Sequence, residues 1–367
     1  MARDRIPIVQ PYIPRGIGES LRVYVESGAW LTEHDKTRGL EAGICQLVGA
    51  RHCIMVPNGT LALYAALVAA GVGPGDQVIV PDLTMVATAN AVLMAGAEVV
   101  LCDVTRWDLC LDLQKCMTLC TDRTKAIVVV DLNGRAPRMT EALRFFTGDM
   151  GITIIEDACQ AFGSSSGSRY CGTVAAMGCY SFSPHKILTM GQGGAIVTDD
   201  DDLAFRLRRL RNFGRDTGGT DDHKAYGVNL KYTDLQALVG LEQIGDLQWR
   251  FWEKEATYAF YRDRLEGVGD LEFLNLGHGE IPWHVDVYTD RRDELAVYLE
   301  NLGIGTRKMY PALHTLPPYT SGHGHAVDYP NSVRASARGL FIPSFLTITE
   351  IEALTVFETI KDFYKGD

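Results

Sequence analysis

The residue with the richest chemical surroundings is Lys186. It ends the stretch Ser181-Phe182-Ser183-Pro184-His185-Lys186, just after an apolar run, and precedes the glycine-rich turn Gly191-Gln192-Gly193-Gly194. Lysine is rarely buried without a partner, and a Schiff base with a carbonyl group removes the charge that burial penalises. Glycines at such a turn let the backbone approach a ligand or a second chain segment closely. The plain alternative is a surface lysine in a loop. A second segment, Ile154-Ile155-Glu156-Asp157, ends an apolar run on two acids. An aspartate at the carboxyl end of a buried strand can pair with a protonated ring nitrogen, since each charge stabilises the other. It can equally cap the turn that follows. A third, Pro57-Asn58-Gly59-Thr60, precedes the alanine-rich stretch LALYAALVAA. Free N–H groups, a hydroxyl and the positive end of a helix dipole suit a phosphate, whereas an ordinary threonine N-cap needs no ligand.

These residues need a scaffold, and the pattern around them supplies one. Short apolar, β-branched runs recur at Gln77–Asp82, Glu98–Val104, Lys125–Leu132, Ile152–Ala158, Met177–Ser183 and Gly194–Asp199. Helical stretches separate several of them, at Thr60–Ala70, Met85–Ala95 and Arg138–Gly148. Alternation of this kind predicts an α/β fold with a mostly parallel sheet covered on both faces. Such sheets bind ligands beyond the carboxyl ends of their strands. A dinucleotide reading of GQGG is weak, because that turn lies after the sheet's midpoint and opens a strand and not a helix. After about Gly193 the alternation stops. A charged helix (Asp201–Arg211), a Gly- and Asp-rich loop (Gly214–Gly227) and helices from Asp234 to Leu265 follow. Short strands and helices then mix, with helices at Asp293–Leu302 and Thr349–Tyr364. The expected division is a large domain over 1–245 and a smaller C-terminal α/β domain over 246–367, with the boundary inside a long helix.

Composition narrows the function classes. The chain has 367 residues, 46% of them hydrophobic, and a formal net charge of −11. Lys and Arg are scattered, which argues against a nucleic-acid binder but not against a small anionic ligand in a local pocket. Nine cysteines at irregular spacing read as reduced thiols packed as small hydrophobes, and Cys116 and Cys120 lack the companions of a zinc site. No apolar run reaches the length of a membrane span, and the first residues lack a signal-peptide core. The expectation is a cytoplasmic protein without metal, nucleic-acid or membrane partners.

Taken in order, the three segments resemble the fold-type I pyridoxal-phosphate (PLP) enzymes of the DegT/StrS sugar-aminotransferase family. The matching stretches are PNGTLAL, GDQVIVPDLTMVATANAV, IIEDACQAFGS, CYSFSPHKILTMGQGGAIVTDD, LRNFGRD and YGVNLKYTDLQALVGLEQI. The resemblance covers essentially the whole chain and implies an aspartate-aminotransferase-like fold. It implies that Lys186 holds PLP as a Schiff base and that Asp157 pairs with the pyridinium nitrogen. Gln160 falls where the family contacts the ring hydroxyl. Gly59, Thr60 and Ser181 fall in the phosphate cup, and Asn229 matches an asparagine reaching that phosphate from a second subunit, so a homodimer is implied. Where relatives carry an aromatic residue stacked on the ring, this chain has Met85; a thioether can pack on a ring face. Relatives that dehydrate their sugar replace the lysine with histidine, whereas Lys186 is kept, which implies amino transfer from L-glutamate. Later stretches, MYPALHTLPPY and RGLFIPSF, look closest to the GDP-perosamine synthase branch, whose members aminate C4 of a GDP-linked 4-keto-6-deoxy sugar. Tyr310 and His314 then become candidate sugar contacts, with a hydrogen-bonded structural histidine as the alternative for His314. Arg211 and Arg215 are candidates to face the sugar diphosphate or the donor carboxylate, with an ordinary surface arginine as the alternative for each. His284, His323 and His325 read as solvated loop residues. A dTDP- or UDP-linked keto sugar aminated at C3 or C4, and a PLP-binding regulator without turnover, are the competing functions.

Overall fold

The computed structural model of the chain describes residues 5–139, 144–319 and 325–366. Its centre is a seven-stranded sheet of β1 (His52–Val56), β2 (Gln77–Pro81), β3 (Glu98–Cys102), β4 (Thr124–Val130), β5 (Thr153–Asp157), β8 (Met177–Ser181) and β9 (Gly194–Thr198). A short hairpin, β6 (Ser165–Ser166) and β7 (Arg169–Tyr170), lies between β5 and β8. The spatial order is β1-β9-β8-β5-β4-β2-β3. From β3 to β8 all pairings are parallel, and β9 runs antiparallel to both of its neighbours. Val78, Ile79, Val80, Ile127, Val128 and Val129 are all fully buried. That two-sided burial is why these strands read as continuous apolar runs and not as alternating ones.

Helix Gly59–Ala69 lies across β8 and β9, its alanines allowing close approach to the sheet. Helix Asp201–Arg211 is started by Asp200, whose side chain accepts from Leu203 N at 2.9 Å, and carries acids in its first turn and arginines in its last. Both ends therefore complement the helix dipole, which is how so polar a sequence forms a helix. Of the helix expected over 138–148, the described residues show a π-helical turn, Arg144–Asp149, and residues 140–143 lie outside them. No described helix is long and apolar enough to cross a membrane.

The C-terminal part contains the antiparallel sheet β10 (Val285–Tyr288), β11 (Arg307–Lys308) and β12 (Gly339–Ile342), in the order β10-β12-β11. Helices Arg292–Asn301 and Glu350–Lys365 cover it, burying Val285, Val287, Leu299, Leu340, Val356 and Ile360. Helix Leu247–Leu265 spans two cores. Leu247 and Phe251 pack with the large sheet, Tyr258, Tyr261 and Leu265 with the small one.

Buried polar contacts join the two parts. Arg135, after β4, pairs with Asp286 of β10 at 2.8 Å with both side chains fully buried. Asp103, after β3, accepts from Asn331 N, Ser332 N and the Ser332 hydroxyl at 3.2, 2.9 and 2.8 Å. One expectation is corrected here. His284 is not a solvated loop residue but is 3% exposed at the start of β10, with Asn133 holding its backbone N–H and C=O. His325 is exposed as expected, and His323 lies outside the described residues.

Candidate functional site

A cavity of about 660 Å³ opens beyond the carboxyl ends of β1, β5 and β8. It brings together Gly59, Thr60, Met85, Asp157, Gln160, Ser181, Lys186 and Tyr310, which the sequence assigned to one site.

One wall starts at β1. The chain leaves the strand through Asn58, whose extended backbone and side-chain oxygen, accepting from Leu61 N at 2.9 Å, make it the N-cap of helix Gly59–Ala69. Thr60 is therefore not the cap, and it lines the cavity. The first N–H groups of a helix have no partner within it, and here they border the cavity beside Ser181. Packing at this corner leaves no slack. A Cβ on Gly59 would stand 2.8 Å from Cys159 Sγ, and one on Gly194 would stand 2.4 Å from the Asn58 backbone.

Asp157 ends β5 and is 5% exposed. Its Oδ2 accepts from the Thr88 hydroxyl at 2.7 Å and its Oδ1 from Cys159 N at 3.2 Å. Each oxygen keeps a further lone pair, so the carboxylate is oriented without being saturated. Its neighbour Glu156 points to the opposite face, where three backbone N–H groups at 2.7–2.8 Å hold it. Alternation along the strand separates the two acids by function.

Lys186 sits in the hairpin loop between β8 and β9, which is closed by Phe182 N to Gly193 O at 2.8 Å and Met190 N to Phe182 O at 3.0 Å. Its Nζ lies 3.7 Å from the centre of the Trp283 ring. Burial pushes the ammonium down to about 8, Cys159 and Asp157 oppose that, and Arg307 adds to it. Near neutral pH the amine is thus closer to its nucleophilic form than an ordinary lysine.

The facing wall comes from the C-terminal part. Trp283 is fixed by its Nε1 donating to His185 O at 2.9 Å. Arg307 lies 5.1 Å from the Tyr310 ring centre, and both line the cavity. Four candidates stand elsewhere. His314 is turned onto Asp82, with 2.8 Å from its ring Nδ1 and 2.8 Å from its backbone N, and stacks on Tyr329. Arg211 is locked by Glu33, Glu41 and the Met55 carbonyl. Arg215 bonds within its own loop, to Asn212 and Thr220. Asn229 is exposed and outside the cavity of its own chain.

Thr88, Trp283 and Arg307 were missed from the sequence. Thr88 had a signal, since it falls one helical turn after Thr84 at a helix start facing the sheet. Trp283 and Arg307 had none, because only the long-range packing of short or irregular segments brings them to the cavity.

Residues 16–361 match the DegT/DnrJ/EryC1/StrS aminotransferase family. GDP-perosamine synthase of Caulobacter vibrioides is 34% identical over 323 residues, 85% of each chain. The crystal structure of S. venezuelae DesV in complex with a ketimine intermediate superposes with a TM-score of 0.90 at 30% identity, covering 97% of this chain and 99% of that one. DesI in the presence of its TDP-sugar product superposes with a TM-score of 0.90 at 28% identity, covering 99% and 94%. An α/β fold with a mostly parallel central sheet, a lysine and an aspartate facing one cavity, and this match along nearly its whole length lead to one statement: the chain belongs to the DegT/DnrJ/EryC1/StrS aminotransferase family.

Proposed function

We propose that this aminotransferase uses PLP held by Lys186 to move the amino group of L-glutamate to the keto carbon of a nucleotide-linked 4-keto-6-deoxy sugar, as a homodimer. The observation that carries the proposal is one cavity faced by a half-buried lysine, an oriented aspartate and an open helix N-terminus. These groups fit the cofactor's three handles. The amine suits an aldehyde, the carboxylate a protonated pyridine nitrogen, and the N–H groups of Gly59 and Thr60 with the Ser181 hydroxyl a phosphate. Gln160 and the Met85 thioether would flank the ring. Asn229, exposed on its own chain, is available to the phosphate of a second subunit. A chain divided within helix Leu247–Leu265 would then place the cavity between its two domains.

When bound, PLP supplies an electron sink that stabilises a carbanion at the carbon bearing the amino group. The protein does the rest. Asp157, oriented by the Thr88 hydroxyl and the Cys159 N–H, would hold the protonated ring nitrogen. Lys186 would hold the cofactor and, as a free amine, would carry a proton at Nζ, its lowered pKa letting it release as well as accept. Arg307 offers the cavity a cation for a carboxylate or diphosphate. The same residues would serve both halves of the exchange, with glutamate as amino donor and the keto sugar as acceptor.

The GDP-linked sugar follows from the likeness to GDP-perosamine synthase. A dTDP-linked sugar is favoured by the likeness to DesI with its TDP-sugar product. Retention of both Lys186 and Asp157 favours turnover over a PLP-binding regulator. The test is an absorbance spectrum of the purified protein before and after L-glutamate. A visible band bleached by glutamate, and missing its lysine-linked form in Lys186→Ala, is expected. A colourless protein that fails to take up PLP overturns the proposal. Thermal shifts with GDP-, UDP- and dTDP-amino sugars then rank the nucleotide.

A further inference from the structure

Asn133 is fully buried in the turn after β4 and holds φ 55°, ψ 32°, the left-handed region that few non-glycine residues occupy. Strained backbone of this kind persists only where its surroundings over-determine it. Here they do. The Asn133 side chain is hydrogen-bonded at both ends. Its Oδ1 accepts from His284 N at 2.8 Å, and its Nδ2 donates to His284 O and to Asp286 Oδ1, each at 2.9 Å. The next residue is equally fixed, because a Cβ on Gly134 would stand 1.9 Å from Ile281 O. The turn after β4 is thereby joined to segment 281–286, which also carries Trp283.

The backbone N–H of Asn133 points the other way and donates to Gln160 Oε1 at 3.1 Å. An N–H can only donate, so the oxygen of the Gln160 amide is the end that it holds. The NH₂ end is then the one free for the cavity that Gln160 lines. We infer that Asn133 is a positioning residue: clamped to His284 and Asp286, it turns Gln160 so that a hydrogen-bond donor, not an acceptor, faces the ring oxygen of the cofactor. This rests on the PLP reading above. A donor there stabilises the ionised ring oxygen and weakens its hold on the proton shared with the Lys186 nitrogen. Wild-type protein should therefore show a lowered pKa for its visible band.

The test is the pH titration of that band, without substrate, in wild type, Gln160→Ala, Asn133→Gly and the double variant. Glycine accepts φ 55° and keeps the N–H, so Asn133→Gly removes the clamp with the least risk to folding. Gln160→Ala should raise the pKa by about one unit, the size of one hydrogen bond to a charged group. Asn133→Gly should raise it in the same direction by less, and the double variant should match Gln160→Ala alone, since both changes act through one side chain. Gln160→Glu, which puts an acceptor where the donor stood, should raise it furthest. An Asn133→Gly titration that overlays wild type, or a shift that adds in full to that of Gln160→Ala, overturns the inference while leaving the cofactor assignment standing. A wild-type protein that never forms the band overturns both.

Discussion

The two walls of the cavity are held in different ways. On the large-sheet side, each side chain owes its place to the element that carries it: Gly59 and Thr60 to a helix start, Asp157 to a strand end, Lys186 to a hairpin loop. On the C-terminal side, Trp283, Arg307 and Tyr310 sit in short or irregular segments whose places are set by distant buried contacts, namely Asn133 with His284, Arg135 with Asp286 and Asp82 with His314. Even the same residue type divides this way. Asp157 keeps lone pairs for a ligand, whereas Asp82 and Asp103 spend theirs on the backbone of C-terminal segments. Chemistry common to a family can be fixed locally, while substrate choice is left to segments that a few polar contacts can re-aim.

Substitutions on each wall test that contrast. Lys186→Ala should reduce the glutamate half-reaction by more than about 10⁴-fold, since it removes both the proton carrier and the route by which the donor enters; single-turnover absorbance would measure it. Asp286→Ala leaves Arg135 buried and unpaired, and should destabilise the protein by about 3–5 kcal/mol in chemical denaturation. Under native conditions that variant should still form the visible band, and losing it would mean that the two walls are not separable. A third check concerns pH. On the proposed function neutral Lys186 is the nucleophile, and burial lowers its pKa to about 8. PLP uptake by cofactor-free protein should accelerate as pH rises towards 8 and level off above it, and a curve still climbing near 10 would contradict the burial argument. Arg307→Met should raise the KM for one anionic substrate about tenfold, with kcat little changed, and whether glutamate or the sugar nucleotide is affected identifies its partner. Smallest of all, Met85→Tyr should tighten PLP binding a few-fold, since an aromatic face adds only about 0.5–1.5 kcal/mol.

Most of the large-sheet wall was legible from sequence. Strands at Gln77, Glu98, Met177 and Gly194 begin where the apolar runs begin, because burial on both faces leaves a periodicity that polar residues interrupt only at turns. Lys186, Asp157 and Gly59-Thr60 fell together because each ends or starts such an element. What escaped was set by tertiary contacts. His284 looked like a loop histidine, yet Asn133 pins its backbone and burial holds its imidazole well below the usual range, hence neutral. Arg211 looked free to meet an anion, but Glu33 and Glu41 come to it from a distant helical region that its own neighbourhood does not announce. Asn58 took the capping role that Thr60 had seemed to hold, and so left the threonine to line the cavity.

The pairing of β1 with β9 bears on how this protein is made. His52 aligns with Thr198, so the strand leading to Gly59 and Thr60 and the strand leaving the lysine hairpin pair across the whole intervening chain. Pairings so far apart in sequence tend to form slowly, because loop entropy is lost before the contact repays it. Gly59, Thr60 and Lys186 are brought together through that pairing, and a ligand touching all three needs it formed. Such a ligand binds the finished state alone and withdraws it from the unfolding equilibrium by mass action. In the cell, supply of the small molecule and survival of the newly made polypeptide become linked quantities.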